Sequence, residues 1–405
     1  MQLKSLVLPS FVVSAVSQNP DLGVPLSWRK FSNSRPLDER IRISQNAINA
    51  FVPQLNTGTA EFNGIGFWQS GNAYSAMANQ DHIAGTTVNR DRVVNGLNTA
   101  FRLNVNYDKF GVNDILKDTS NPRFNDDALW WAQSAVYAYR AYGDNNLLSH
   151  AVATWNRVTQ FVITASQASA GRTSVKNFSL SGTCDGATMA GGVFWRPTND
   201  DQAVNSVTTG LYLTLSAYLA EITKDSKYTN AALLSARWIK AHNINSNNIV
   251  LDTVNGHDCS RSPANWLFTY NSGKYVEGLS VLATVTGDAQ WTSLYTVVSN
   301  AAMKTDAWGG SDGVITEGAS RNENNDGVGF KAVFIRGLHE VFTRSKNDAL
   351  KILIHSYIDV QYNALLDLAA NGTTYSAAWK GPPQGFTSWG QLAALDVLVS
   401  AIDAN

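Results

Sequence analysis

One pattern recurs along the 405-residue chain and limits what it can fold into. A segment rich in Ala, Leu and Tyr on nearly all sides ends in a short polar turn, and a more amphipathic segment follows. AQSAVYAYRAYGDNNLLSHAVATWNRV turns at Gly143-Asp144, and GLYLTLSAYLAEITKDSKYTNAALLSARWIK turns near Lys224-Asp225. YVEGLSVLATVTGDAQWTSLYTVVSNAA turns at Gly287-Asp288, and VFIRGLHEVFTRSKNDALKILIHSYIDV near Ser345. A helix that is apolar all round needs neighbours on every side, whereas a helix with one apolar stripe covers a surface. Gly, Asp and Asn at the turns supply caps. No single hairpin of this kind buries its own apolar face, so hairpins must stack.

Counting from the N-terminus gives about twelve helices. Two pairs are expected from residues 37–104, three pairs and the start of another from 124–345, and the remainder from 346–403. The expected fold is all-α, a toroid of six helical hairpins or (α/α)6 barrel, forming a single domain over residues 18–405. An open solenoid is the alternative. Against it, the spacing is irregular, and long segments (168–192, 243–265, 308–327) lie between pairs rather than within them. In a closed toroid such loops gather at one end and line a mouth, where function concentrates.

The first residues, MQLKSLVLPSFVVSAVSQ, place Lys4 before an apolar run and a small-x-small site at Ala15-Val16-Ser17. This is a secretory pattern with cleavage before Gln18, interrupted by Pro9, so residues 1–17 are expected to be a signal peptide and the protein secreted and extracellular; an apolar N-terminal strand is the alternative. No other run approaches a membrane span. The C-terminal LAALDVLVSAIDAN is amphipathic and lacks the spacer and apolar tail of a lipid-anchor signal, so no membrane anchor is expected. Cys184 and Cys259 are the two cysteines. They either pair, which would contribute up to ~4.5 kcal/mol in the chain-entropy model, or remain free; secretion favours the pair. The triplets beginning at Asn177 and Asn371 are N-glycosylation sequons.

The formal charge is −1 with no Lys/Arg cluster, which argues against a nucleic-acid partner. Charged residues are only 16% of the chain, while aromatics are 10% with 12 Trp. A polar, weakly charged, Trp-rich surface suits sugars. The string FNDDALWW, residues 124–131, sets Asp126 and Asp127 beside Trp130 and Trp131 at an expected helix start. Glycoside cleavage needs one carboxylic acid to protonate the leaving oxygen and one carboxylate as nucleophile or base. A helix N-terminus stabilises the carboxylate that attacks. Burial near Trp and repulsion from its neighbour would keep the other protonated. Capping alone also explains Asn-Asp-Asp at a helix start, and Asp200-Asp201, another pair expected to open a helix, is read as capping. Glu277, Glu317, Glu323 and Asp326 are competing acids. Trp68, Trp195 and Trp266 are candidate sugar platforms. Asn72, Asn205, Tyr270 and Asn271 are candidate hydroxyl binders, with helix capping the alternative for Asn205 and the Tyr270-Asn271 pair. Lys331 and Arg336 either contact substrate or pair with these acids. No metal-ligand spacing, GxSxG elbow, GxGxxG or Walker loop occurs, so no metal and no cofactor is expected. His257-Asp258-Cys259 resembles a thiol centre, but its cysteine is better explained by a bridge.

FNDDALWW, GGVFW (191–195), the Asn205 segment, FTYNSG (268–273) and KAVFIRGL (331–338), in this order, resemble glycoside hydrolase family 76, the endo-α-1,6-mannanases. The resemblance covers roughly residues 60–400 and implies an (α/α)6 barrel and retaining hydrolysis of α-1,6-mannan. It implies Asp126 as nucleophile and Asp127 as acid/base; Trp130 and Trp195 are expected to be substrate-binding residues. Ser272 stands where the family often has Gln. The insertion between Gly182 and Ala190, with Cys184, looks like a fungal-type loop. Fungal relatives include wall proteins that act as transglycosidases on the mannose-containing glycan of lipid anchors. The expected partner is therefore an α-mannan polysaccharide or oligosaccharide, and the protein is expected to be a monomer. Transglycosylation on anchor glycan or wall mannan is the alternative activity, and an inactive mannan-binding protein is the reading from another class.

Overall fold

The computed structural model describes residues 20–104 and 124–404. The expected signal peptide, residues 1–17, lies outside them. Thirteen helices are present among the described residues: α1 (Leu37–Phe51), α2 (Phe67–Ala84), α3 (Arg90–Leu103), α4 (Asn125–Tyr142), α5 (Asn145–Thr159), the short α6 (Ala165–Ala170), α7 (Ser206–Thr223), α8 (Ser226–His242), α9 (Thr269–Thr286), α10 (Ala289–Lys304), α11 (Gly327–Arg344), α12 (Asp348–Ala364) and α13 (Ser388–Ser400). Helices α2, α4, α7, α9, α11 and α13 each pack against the next, and α13 returns to α2, which closes an inner ring. The remaining long helices form the outer ring. The fold is an (α/α)6 barrel.

The two rings differ as their sequences require. In α7 every residue from Ser206 to Ala220 is buried. In α3 only Val93, Leu97, Ala100 and Phe101 are, at the spacing of a single apolar stripe. The turns lie where the sequence places them. Gly143 and Gly287 end α4 and α9 in the left-handed conformation, and Asp144 and Asp288 then cap the following helices through their side chains. Lys224 takes the same left-handed position after α7, followed by Asp225 as cap. The inner helices approach closely where they carry glycine. A Cβ on Gly337 of α11 would lie 2.2 Å from the carbonyl oxygen of Gly273 in α9.

The expected pairing of the first helices is corrected. Residues 37–104 give three helices, not two pairs, and the sixth hairpin is assembled from the two ends of the chain, α1 with α13. Arg40 in α1 donates to the carbonyl oxygen of Ala401 just beyond α13, at 2.9 Å. Short turns gather at one end of the barrel and long loops at the other. Within the long loops, β1 (Ala203–Asn205) and β2 (Thr253–Asn255) pair antiparallel, with Ala203 opposite Asn255 and Asn205 opposite Thr253. Cys184 and Cys259 form a disulfide with Cα atoms 5.5 Å apart, joining two of these loops. Among the described residues no helix is long and apolar enough to cross a membrane.

Candidate active site

Helix α4 does not begin with a side-chain cap. Its N-cap is Phe124, in extended conformation, and no side chain caps it. Asn125 instead docks on the preceding loop: its N–H donates to the Trp195 carbonyl and its amide to the Phe194 carbonyl, both at 2.8 Å. The Phe124 and Trp195 rings meet at 4.7 Å, and the Arg196 guanidinium lies over Phe124 at 5.2 Å. Trp195 is in turn held by its N–H to the Ala203 carbonyl at 2.8 Å, at the start of β1. FNDD and GGVFW are thus two halves of one joint, and Asp126 and Asp127 sit in the first turn of α4 rather than at its cap.

Burial pushes the Asp126 carboxyl up to about 7, against the opposing pull of first-turn N–H groups and the Trp195 indole. The charge of Asp326 adds to the rise. Oδ1 of Asp126 is buried without a hydrogen-bond partner, an unsatisfied acceptor of the kind that is rare in a folded interior. Asp326, at the start of α11, is fixed by the Trp68 indole N–H at 3.1 Å.

The two tryptophans diverge, as neighbours about 100° apart on a helix must. Trp130 meets Trp68 at 5.6 Å and lies under the site. Trp131 turns into the core against Phe67 and Tyr74, over Gly71, where a Cβ would lie 3.3 Å from the indole. Phe330 continues the wall, 6.0 Å from Trp68 and stacked on Tyr270 at 3.8 Å.

A cleft of about 730 Å³ runs outward over the β1–β2 ribbon, with Trp195 and Tyr270 at one end and Trp266 on its rim. The burial of the Tyr270 hydroxyl raises its pKa, and Asp252, Asp126, Glu317 and Asp326 all add to the rise. Tyr270 therefore lines the cleft and stands within electrostatic reach of Asp126. Asn205 caps α7, its side chain accepting from the Thr208 N–H at 3.2 Å, and it also lines the cleft. Asp200 and Asp201 do not cap α7. They precede β1 and line the cleft, because three strand residues intervene before the helix begins.

Other candidates belong to the frame. Asn271 is fully buried and donates to Asp252 at 3.1 Å. Asn72 is buried in the barrel axis, donating to the Trp68 carbonyl at 3.1 Å and accepting from Arg336. Arg336 pairs with Asp396 at 3.3 Å. Glu277 is fully buried with Lys274 at 2.6 Å. Glu317 accepts from the Thr269 N–H at 2.9 Å and caps α9; burial pushes it to about 7. Burial brings Lys331 down to about 7, and its ammonium donates to the Ala377 carbonyl at 2.5 Å. Glu323 is exposed.

Asp252 is the residue that sequence reasoning missed. Its carboxylate lines the cleft and accepts from Asn271 and, at 2.9 Å, from Thr253 Oγ1. Only the pairing of β1 with β2, strands 50 positions apart between Ala203 and Thr253, brings it to the site, and no local spacing signals it. Among the described residues, no group of three or more His, Cys, Asp and Glu is placed to hold a metal ion.

A family profile described as Glycosyl hydrolase family 76 matches residues 173–403. No curated protein matches the chain significantly. Among solved structures, it is similar to an inactive variant of an α-1,6-mannanase from Salegentibacter sp. HEL1_6 in complex with α-1,6-mannotriose. That variant carries Asp-to-Asn substitutions at two adjacent positions; the TM-score is 0.73 at 15% identity, covering 90% of this chain and 100% of that one. A family 76 mannosidase from Bacteroides thetaiotaomicron VPI-5482 gives 0.66 at 15%, over 90% and 98%. Dfg5 from Chaetomium thermophilum, in complex with glucosamine, gives 0.69 at 19%, over 92% of each chain. At these identities the likeness is one of fold.

Proposed function

The chain belongs to glycosyl hydrolase family 76 and is a glycoside hydrolase, and from that premise we propose that it cleaves α-1,6-mannosidic linkages in mannan with retention of configuration. The observation that carries this reading is the aspartate pair itself. Asp126 and Asp127 stand in the first turn of an inner helix whose cap is Phe124, and Asp126 presents a buried, unpartnered oxygen beside the Trp68–Trp130 wall. In the proposed reaction the Asp126 carboxylate attacks the anomeric carbon while Asp127 gives its proton to the departing glycosidic oxygen. Asp127 then takes a proton from water, which attacks the mannosyl ester and releases Asp126. Attack requires Asp126 to be ionised, so its raised pKa makes loss of that proton a precondition of the first step.

The disulfide and the exposed sequon residues Asn177 and Asn371 support a secreted, extracellular protein. We take it to act as a monomer. Transfer to a sugar acceptor is the second reading, favoured by a cleft that continues well beyond Trp195 and Tyr270 and has room for an acceptor. One experiment separates the two. Linear α-1,6-mannooligosaccharide is incubated with wild type, Asp126→Ala and Asp127→Ala in water enriched in heavy oxygen, and the products are weighed. Shorter, labelled products from wild type alone are expected. Longer, unlabelled products would establish transfer, and near-wild-type turnover in either variant would refute the assignment of the pair.

A further inference from the structure

Trp266 is the one aromatic among the large hydrophobic side chains exposed in the described residues, with 49% of its surface open. A lone exposed apolar side chain needs no explanation, but three observations set this one apart. It lines the rim of the cleft. It is also the outer end of a continuous series of rings leading to Trp130, one turn beyond the aspartate pair in α4: Trp266 to Phe268 at 6.2 Å, Phe268 to Phe330 at 5.5 Å, Phe330 to Trp68 at 6.0 Å, and Trp68 to Trp130 at 5.6 Å.

The third observation is the mounting. The Trp266 N–H closes a turn on the Pro263 carbonyl at 2.9 Å. Just before that turn, Ser262 and Thr253 exchange bonds at 3.1 Å in both directions. Arg261 reaches the His242 carbonyl at 2.5 Å and Asp185 at 2.8 Å. Cys259 is tied to Cys184 by the disulfide. The backbone that carries the exposed indole is thus fixed before anything binds, which lowers the cost of a contact there. The groups between it and Tyr270, among them Ser262, Asn205 and Asp252, are polar and suited to sugar hydroxyls.

We propose that Trp266 is a distal sugar platform, stacking on the apolar face of a mannose unit several residues away from the bond that is cut, and that it sets the enzyme's preference for long chains. The proposal rests on the mannanase reading and deepens it. A pyranose ring shows one face of C–H groups, which packs on an indole as another apolar surface would. The platform acts on binding and not on the reacting atoms, so its loss appears in KM rather than kcat.

The test compares α-1,6-linked mannotriose with mannohexaose. Trp266→Ala is expected to raise KM for the hexaose about tenfold and for the triose by less than about twofold, with Trp266→Phe recovering part of the loss. Wild-type length dependence in Trp266→Ala would overturn the proposal. A binding arm uses Asp127→Asn, with and without Trp266→Ala, titrated with mannohexaose. Weaker binding only when Trp266 is replaced supports the platform even if wild type proves to cut nothing, an outcome that would count against the hydrolase reading alone. Equal affinities, or no binding by either protein, would overturn the platform.

Discussion

Replacing Asp126 with asparagine is expected to stabilise the protein, and to do so only as the pH rises. The ordinary carboxyl value of 3.8 applies to the unfolded chain, while burial holds the folded carboxyl at about 7. Below 3.8 both states carry the proton, and the carboxyl costs nothing. Between these values the folded state binds more protons than the unfolded one, so stability falls as pH rises, and the full cost is present above about 7. From 3.8 to about 7, at 1.36 kcal/mol per pH unit, the ceiling is about 4 kcal/mol. Asp126 as a residue is only partly buried, and screening brings the expected effect to about 2 kcal/mol. For a chain of this size that corresponds to roughly 2–3 °C in Tm. Thermal unfolding of wild type and Asp126→Asn at pH 4, 6 and 8 reads it directly. The gain should be near zero at pH 4 and largest at pH 8. An equal gain at all three values, or none at pH 8, would show that burial does not govern this carboxyl.

Three further outcomes are expected. With activated mannosides, azide should rescue Asp126→Ala as a glycosyl azide of inverted configuration and Asp127→Ala as one of retained configuration, each variant starting at least about 100-fold below wild type; the opposite stereochemistry would exchange the two roles. With Asp126 as nucleophile, kcat/KM of wild type should be lost as pH falls through about 7, because the ionised form is the one needed; loss on the alkaline side of 7 would make Asp126 the acid. Gly337→Ala places a methyl 2.2 Å from the Gly273 carbonyl, so α9 and α11 must separate, at a cost of about 3 kcal/mol measurable by denaturant unfolding.

The barrel was legible because its signals are local. An all-apolar helix, a Gly-Asp turn and an amphipathic return can each be read within a few dozen residues, and the turns at Gly143, Lys224, Gly287 and Ser345 stand as read. What was not legible depends on partners far along the chain. Nothing near Leu37 or Ser400 announces that α1 and α13 form one hairpin. Asp200 and Asp201 looked like caps because the β1 strand between them and α7 is stabilised only by β2, which no local pattern near them reveals. Residue type alone singled out the aspartate pair as a candidate, while Asn72 and Asn271 turn inward, bonded to the Arg336 guanidinium and the Asp252 carboxylate. Trp130 and Trp131 read alike as letters and separate only when the helix turns them to different faces.

The bond from Arg40 to Ala401 has a consequence for how the chain can be rearranged. A ring whose last hairpin is sewn from its first and last helices, α1 and α13, has no preferred starting point. Linking the residue after α13 to the start of α1 and opening the chain at Gly143-Asp144 would keep each helix beside its present neighbours, and a permuted protein of this kind should fold. Cutting away α13 is the opposite operation. It removes a staff from the barrel, leaves α1 without its partner and opens α2 and α11 to solvent at once, so the damage would spread around the ring instead of staying at the end where the chain was cut.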